Sequence, residues 1–200
     1  MRLSIIIPAL NEAAHIAQSL APLQSMRERG VEVIVVDGGS TDQTVSQSEP
    51  LADRVIMSAR GRATQMNAGA AVAHGDVLLF LHADSSLPDQ ADDLIFDAID
   101  NGHSWGRFDV NIRGAHFMLA VIAWFINHRS RLSGISTGDQ GLFVTRNAFD
   151  RVGGFPSQPL MEDVEICKRL RKLAPPACLL ARVSTWVAAG KNTAYGEPFF

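Results

Sequence analysis

The chain has 200 residues, of which 46% are hydrophobic, a composition typical of one globular domain with a sizeable core and not of a disordered segment. Its formal charge is −3, and no run of lysines or arginines favours nucleic acid as a partner. Cys167 and Cys178 lack metal-site or redox spacing and are interpreted as reduced core thiols. Ser4 and Pro8 interrupt the apolar residues near the start, which argues against a secretory signal and predicts a cytoplasmic protein.

The first half of the chain alternates apolar runs with helical patterns. Asn11 is predicted to cap the first helix, Gly30 to end it, and Ser40 or Thr41 to cap the second. Four strands alternating with helices imply a parallel sheet. The predicted strands cover residues 3–8, 31–37, 54–57 and 76–84, and the predicted helices follow at 11–29, after 41, at 61–73 and at 89–101.

The pattern changes after Gly102. Residues 105–112 alternate as a half-exposed strand and 141–146 resemble another, which predicts a small antiparallel addition. Prolines and glycines in 175–200 predict a segment that wraps the surface or lies loose. We therefore expect a single domain over 1–200. Its predicted parts are a nucleotide-binding half (1–101), an acceptor half (102–178) and a C-terminal tail (179–200).

One segment of the second half is apolar on every side. Ten consecutive apolar residues run from Phe117 to Ile126, followed by His128, Arg129 and Arg131. A membrane span needs about 20 such residues, so this helix is too short to cross a bilayer. Burial against the sheet, a homodimer contact through 116–127, and shallow docking on the inner face of an anionic membrane remain open.

Asp37 follows the second predicted strand directly, in VVDGGSTD. The carboxyl edge of a parallel sheet is where open α/β folds bind ligands, so this carboxylate could bind a uracil or a ribose hydroxyl. Gly38 and Gly39 would let the backbone approach that ligand closely. Capping of the turn by Asp37 is the structural alternative.

Asp84 follows the fourth predicted strand, in LLFLHAD. A divalent cation that carries a diphosphate takes only one or two protein carboxylates, so a single aspartate can suffice. His82, two residues earlier on the same side of the strand, could add a nitrogen ligand, although a structural hydrogen bond is the commoner role.

A third acidic pair, Glu162 and Asp163, begins a predicted helix in PLMEDVEICKRL. Acidic residues in a first turn also stabilise a helix through its dipole, so the pair by itself does not prove a function.

Six motifs together resemble family 2 glycosyltransferases, most closely a small bacterial branch with LHAD in place of the usual DxD motif. The resemblance covers most of the chain and weakens after Leu179. In order, the motifs are PALNE (8–12), VVDGGSTD (35–42), GRATQMNAGA (61–70), LLFLHAD (78–84), GDQGLFVTRNAFDRVGGF (138–155) and MEDVEICKRL (161–170).

The resemblance implies an α/β GT-A fold, a nucleotide-diphosphate sugar donor that is usually a UDP-sugar, Mn²⁺ or Mg²⁺, and inversion at the anomeric centre. It makes Asp163 the general base that deprotonates an acceptor hydroxyl, and it gives the cation to Asp84, beside which His82 stays a candidate ligand. The implied nucleotide-site residues are Pro8, Ala9, Leu10, Glu12, Asp37, Gly38, Arg62 and Asp84. On the acceptor side the resemblance implies Asp139, Gln140 and Glu162, beside Gly138.

His82 is the main departure from the family pattern, because it removes one negative charge near the cation. A catalytically inactive UDP-binding module is therefore the alternative function. A dehydrogenase or methyltransferase would carry GxGxxG after the first strand, where this chain has PALNE. Sugar and acceptor identity are not readable from motifs.

Overall fold

The computed structural model describes residues 1–114, 116–158 and 160–186. These residues form one eight-stranded sheet with helices on both faces. The strands are Leu3–Ala9 (β1), Glu32–Asp37 (β2), Arg54–Met57 (β3), Val77–Phe80 (β4), Ser85–Ser86 (β5), Trp105–Arg113 (β6), Leu142–Thr145 (β7) and Ala177–Trp186 (β8). The α-helices are Ile16–Leu20 (α1), Gln24–Glu28 (α2), Thr44–Ser48 (α3), Arg62–Val72 (α4), Ala91–Asp100 (α5), Met118–Ser133 (α6), Arg146–Val152 (α7) and Glu162–Arg171 (α8).

The strand order is β3-β2-β1-β4-β7-β6-β8-β5. The first four strands in this order are parallel, as the alternating pattern predicted. β7 is antiparallel to both of its neighbours, β4 and β6, which confirms the antiparallel addition. β8 returns parallel to β6, so the sheet as a whole is mixed but mostly parallel.

Continuous apolar strands form the centre of the sheet because both of its faces are covered. Alternate side chains of β1 illustrate this: Ile5 and Ile7 face one apolar cluster, and Ile6 faces the other. α1, α2 and α5 contribute to the first cluster, and α4, α7 and α8 to the second. Gly69 allows α4 to lie directly on the sheet, since a Cβ there would be 2.5 Å from Ile6 Cγ2.

Three local predictions in the first half are wrong. Asn11 does not cap a helix: it has a φ of 54°, and its side chain accepts a hydrogen bond from the Thr41 N–H. Neither Ser40 nor Thr41 caps α3, because Asp42 accepts the hydrogen bond from the Thr44 N–H instead. The fourth strand ends at Phe80, so His82 and Asp84 lie in the loop beyond it.

Two predictions in the second half are also wrong. Residues 177–186 are not a loose tail but form β8, between β6 and β5 in the sheet. β6 is not half exposed, because Trp105 to Val110 are all buried. Residues 187–200, the rest of the predicted tail, lie outside the described part of the chain.

The apolar segment also departs from the expectation of burial. Within α6 the buried residues are Ala123, Asn127 and Ser130, while Trp124 and Phe125 are exposed. Burial of the apolar residues against the sheet is therefore wrong. In the described part of the chain, no helix has the length and apolar character needed to cross a membrane.

Candidate active site at the carboxyl edge of the sheet

The parallel arrangement places Asp37 and the end of β4 at the same edge of the sheet. Asp37 ends β2 opposite Ala9 of β1, and β4 lies on the other side of β1 with Phe80 opposite Ile6. Asp84 lies beyond the end of β4, in the loop that leads to Ser85–Ser86, so its place in one cleft with Asp37 stays a prediction. The arrangement follows from right-handed β-α-β connections, which bring the carboxyl ends of parallel strands together.

The Asp37 carboxylate is completely buried and takes part in its own turn. It accepts hydrogen bonds of 2.8 Å from the N–H groups of Gly39 and Ser40, and another from the Ser40 hydroxyl. Gly39 has a φ of 91°, which this turn requires. The turn-capping alternative is therefore present in the structure, and contact between Asp37 and a base remains a prediction.

The PALNE segment forms the neighbouring wall of this edge. Pro8 and Ala9 end β1, and the Glu12 N–H donates a 2.8 Å hydrogen bond to the Thr44 hydroxyl. Gln65 was missed by the sequence analysis. Its buried amide donates to the carbonyls of Ala9 and Val36 at 2.8 Å each, and Gly38 lies directly against it.

A second group of side chains meets at the adjoining end of β4. A small pocket, with a cavity volume of about 10 Å³, is lined by polar residues of four segments that are distant in sequence. The predicted site residues in its lining are Arg62, His82, Gly138, Glu162 and Asp163. Met66, Phe80, Leu142 and Phe155 supply the apolar part of the lining.

His82 and Asp139 form a pair that the sequence did not reveal. The His82 Nδ1 lies 3.2 Å from the Asp139 Oδ1. The hydrogen bond from His82 holds the pKa of Asp139 below its usual range, against the opposing effect of burial. The other side of the ring packs on Gly138, where a Cβ would lie 2.2 Å from the His82 Nε2. His82 is therefore engaged by the Gly138–Gln140 turn on both sides.

Asp163 is oriented by the same turn. Its Oδ2 accepts a 2.7 Å hydrogen bond from the Gly138 N–H, and its Oδ1 accepts one of 2.8 Å from the Val164 N–H. The carboxylate lies at the start of α8, as predicted, and it lines the pocket. Such an orientation leaves lone pairs available toward the pocket, as a general base requires.

Glu162 and Arg62 meet at the wall of the pocket. Glu162 has only 3% of its side chain exposed, and its Oε1 lies 3.5 Å from Nη1 of Arg62. That oxygen makes no hydrogen bond within the described residues. Half of the Arg62 side chain is exposed, so the guanidinium can also contact an anion in the cleft.

Gln140 does not reach the pocket. Its amide is completely buried and donates a 3.0 Å hydrogen bond to the Ser130 hydroxyl of α6. Its Oε1 accepts a 3.3 Å hydrogen bond from the Thr137 N–H, and the Gln140 N–H donates to the Thr137 carbonyl at 3.0 Å. The structure therefore gives Gln140 a turn-holding role.

A divalent cation fits this site only when the donor supplies several of the ligands. Within the described residues, no group of three or more His, Cys, Asp or Glu side chains could hold a metal by itself. Asp84 is half-buried, with the Ser85 hydroxyl 3.5 Å from its carboxylate, so it can supply one ligand. The Asp139 contact leaves the His82 Nε2 as the nitrogen that could bind a metal, but Nε2 packs against Gly138. The donor set therefore suits a cation carried by a diphosphate.

Three proteins illustrate what the chain is similar to. A PGL/p-HBAD biosynthesis glycosyltransferase of Mycobacterium bovis is 40% identical over 91 residues, which cover 42% of this chain and 36% of the relative. A Pyrobaculum calidifontis mannosyltransferase in complex with GDP-Man and Mn²⁺ superimposes with a TM-score of 0.71 at 22% identity, covering 96% of this chain and 58% of that chain. Staphylococcus aureus TarS in complex with UDP-GlcNAc superimposes with a TM-score of 0.75 at 18% identity, covering 99% of this chain and 62% of that chain.

These likenesses confirm the expected GT-A fold. The chain spans less than two thirds of the length of each of these three proteins. Residues 4–155 match the family model described as Glycosyl transferase family 2, which is more than half of the sequence. The chain therefore belongs to glycosyl transferase family 2.

Proposed function

We propose that this protein transfers a sugar from a nucleotide-diphosphate donor, a UDP-sugar in the first instance, to an acceptor hydroxyl with inversion at the anomeric carbon. The observation that carries the proposal is the meeting of Arg62, His82, Glu162 and Asp163 around one pocket. The family and the nucleotide-sugar complexes of two structural neighbours support the donor class.

Asp163 acts as the general base in this proposal. The hydrogen bond from the Gly138 N–H aims its carboxylate at the pocket, where the acceptor hydroxyl loses its proton to Asp163 as it attacks the anomeric carbon. The C–O bond to the donor phosphate breaks on the opposite face of the sugar. The proton remains on Asp163 until solvent removes it, and the departing nucleoside diphosphate takes the electron pair.

Arg62 acts on the leaving group. Negative charge develops on the diphosphate as the glycosidic bond breaks, and the half-exposed guanidinium stabilises that charge. Buried Glu162 holds Arg62 in position. Asp84, with His82 as a second candidate ligand, would hold Mn²⁺ or Mg²⁺, which supplies charge neutralisation to the diphosphate when bound. Asp37 and the PALNE residues would contact the nucleoside.

Two measurements test the proposal. The melting temperature should rise when UDP and Mn²⁺ are added, and NAD should not produce this rise. At a UDP concentration of 100 times Kd, binding adds about 2.7 kcal/mol to the free energy of unfolding. Chromatography should detect slow UDP release from one member of a panel of nucleotide sugars, with GDP-mannose included. Stabilisation by UDP without cleavage of any donor would instead favour the inactive binding module.

The Asp163→Asn variant should keep the thermal shift with UDP and lose at least about 100-fold in turnover, because a positioned base contributes 10²–10⁴-fold. Glu165→Gln is the matched control. It removes a carboxylate two residues later, where Glu165 contacts Lys168 and Arg169 outside the pocket. Unchanged turnover in Asp163→Asn would remove the assigned base.

A further inference from the structure

The outward side of α6 is an exposed apolar surface. Its exposed fractions reach 75% at Phe117, 62% at Phe125 and 54% at Trp124. Within the described chain nothing buries these side chains. We call this surface the α6 apolar face, and it comprises Phe117, Met118, Val121, Ile122, Trp124 and Phe125.

The inward side of α6 is polar and makes directional bonds to β6. The Asn127 side chain accepts from the Val110 N–H at 2.8 Å and donates to the Val110 carbonyl at 3.0 Å. Ser130 receives the hydrogen bond from Gln140, and Arg131 pairs with Asp109. Rotating the helix to bury its aromatic residues would break all of these bonds. The outward direction of the apolar face is therefore set by the fold.

The charge around this face is positive. Between Asp109 and Asp139 the sequence contains three arginines and no acidic residue. Because Arg131 is paired with Asp109, Arg113 and Arg129 leave a formal charge of +2, against −5 for the remainder of the chain. Arg113 and Arg129 are exposed and lie before and after the α6 apolar face in the sequence. The Arg113 guanidinium lies 5.3 Å from the centroid of the Trp186 ring.

This charge distribution distinguishes between two possible occupants. A second copy would bring the same positive segment against itself in a two-fold dimer, which is unfavourable. An anionic bilayer complements the positive segment and accepts aromatic side chains at its headgroup boundary. At 1.5 Å per residue the 16 residues of α6 span about 24 Å, which suits a helix lying in the plane of the surface.

We propose that the α6 apolar face docks on an anionic phospholipid bilayer, with Phe117, Trp124 and Phe125 inserted at the headgroup boundary and Arg113 and Arg129 contacting lipid phosphates. Docking does not depend on the proposed transferase activity. The consequence of docking for the acceptor rests on the proposed function. α6 leads within a few residues into the Gly138–Gln140 turn that touches Asp163. A membrane-borne acceptor would then approach the pocket from the lipid side.

Vesicle sedimentation of the full chain tests docking. The probes are vesicles of phosphatidylcholine alone and of phosphatidylcholine mixed with phosphatidylglycerol. The protein should sediment with the mixed vesicles, and added salt should reduce the bound fraction because exposed charges are screened. The double substitution Trp124→Ser with Phe125→Ser should weaken binding at least about tenfold, since two large apolar groups lose their burial.

Two further variants serve as controls. Met57→Ser removes an exposed apolar residue at the end of β3, an edge strand on the side of the sheet away from β6. This variant should bind vesicles like the unchanged protein. Arg129→Glu should abolish the preference for phosphatidylglycerol. All variants alter exposed positions, so their melting temperatures should match that of the unchanged protein.

The outcomes are separable from those for the transferase. Equal sedimentation of the double variant and the unchanged protein overturns the proposal, as does a failure of the unchanged protein to sediment with the mixed vesicles. Self-association that the double variant abolishes, without vesicle binding, assigns the face to a homodimer instead. UDP release measured without lipid should be the same in the double variant, so loss of docking and loss of catalysis are distinguished.

Discussion

The two halves of the sheet are stabilised in different ways. Around β1, β2 and β4, apolar side chains of the strands meet apolar side chains of α1, α4 and α5 on both faces. Around β6, the buried positions include a charged pair, Arg107 and Asp109, together with the amides of Asn127 and Gln140. Hydrophobic burial does not depend on direction, whereas buried charges and amides need particular partners. The β6 half should therefore tolerate the loss of a single side chain least.

Replacing Asp109 should give the largest loss of stability. Asp109 pairs with both Arg107 and Arg131, and Arg107 is only 1% exposed. Asp109→Ala leaves a buried guanidinium without its carboxylate, which costs about 3–5 kcal/mol. Urea unfolding measures this cost. Asp150→Ala, at an exposed position of α7, is the control and should change stability by less than about 0.5 kcal/mol. Similar midpoints for the two variants would remove the distinction between the halves.

In the parallel half, Gly69→Ala should cost about 1–3 kcal/mol through overpacking. The new Cβ would lie 2.5 Å from Ile6 Cγ2 and 2.9 Å from Val36 Cγ2. A double-mutant cycle with Ile6→Ala sharpens the test, because Ile6→Ala removes the clashing methyl group. The cost of Gly69→Ala should then be smaller in the Ile6→Ala background. An equal cost in both backgrounds would show that contact with Ile6 is not the cause.

The smallest expected effect concerns pH. The hydrogen bond from His82 lowers the pKa of Asp139, so the contact stabilises the folded state above the ordinary aspartate pKa and is lost as pH falls through the folded value. An ordinary aspartate has a pKa of about 3.9, so the effect is expected between about pH 5 and pH 3. In this range the unchanged protein should lose slightly more stability than the Asp139→Asn variant. Parallel urea midpoints across this range would contradict the contribution of the pair.

Much of the parallel half could be predicted from the sequence because its signals are local. The apolar runs over 31–37 and 76–84 predicted β2 and β4, although β4 already ends at Phe80. α8 begins at Glu162 as predicted. The motif also named Asp163 as a site residue, and Asp163 lines the pocket.

The second half was harder to predict because long-range partners decide its structure. β8 occupies an internal position between β6 and β5, although its sequence follows two prolines and has no alternating pattern of burial. Asn127 and Ser130 turn the polar side of α6 inward, which apolar periodicity could not reveal. The His82–Asp139 pair joins loops 57 residues apart in the sequence.

The sequence by itself determined the family, the order of strands and helices in the first half, and the residue types available for a nucleotide-sugar site. These properties follow from apolar periodicity and from short motifs, in which the interacting residues are near one another. Only the tertiary structure decided that Asp139 engages His82 and that α6 exposes its aromatic residues. Each of these depends on which distant groups can satisfy buried hydrogen bonds, and that is settled when the strands assemble.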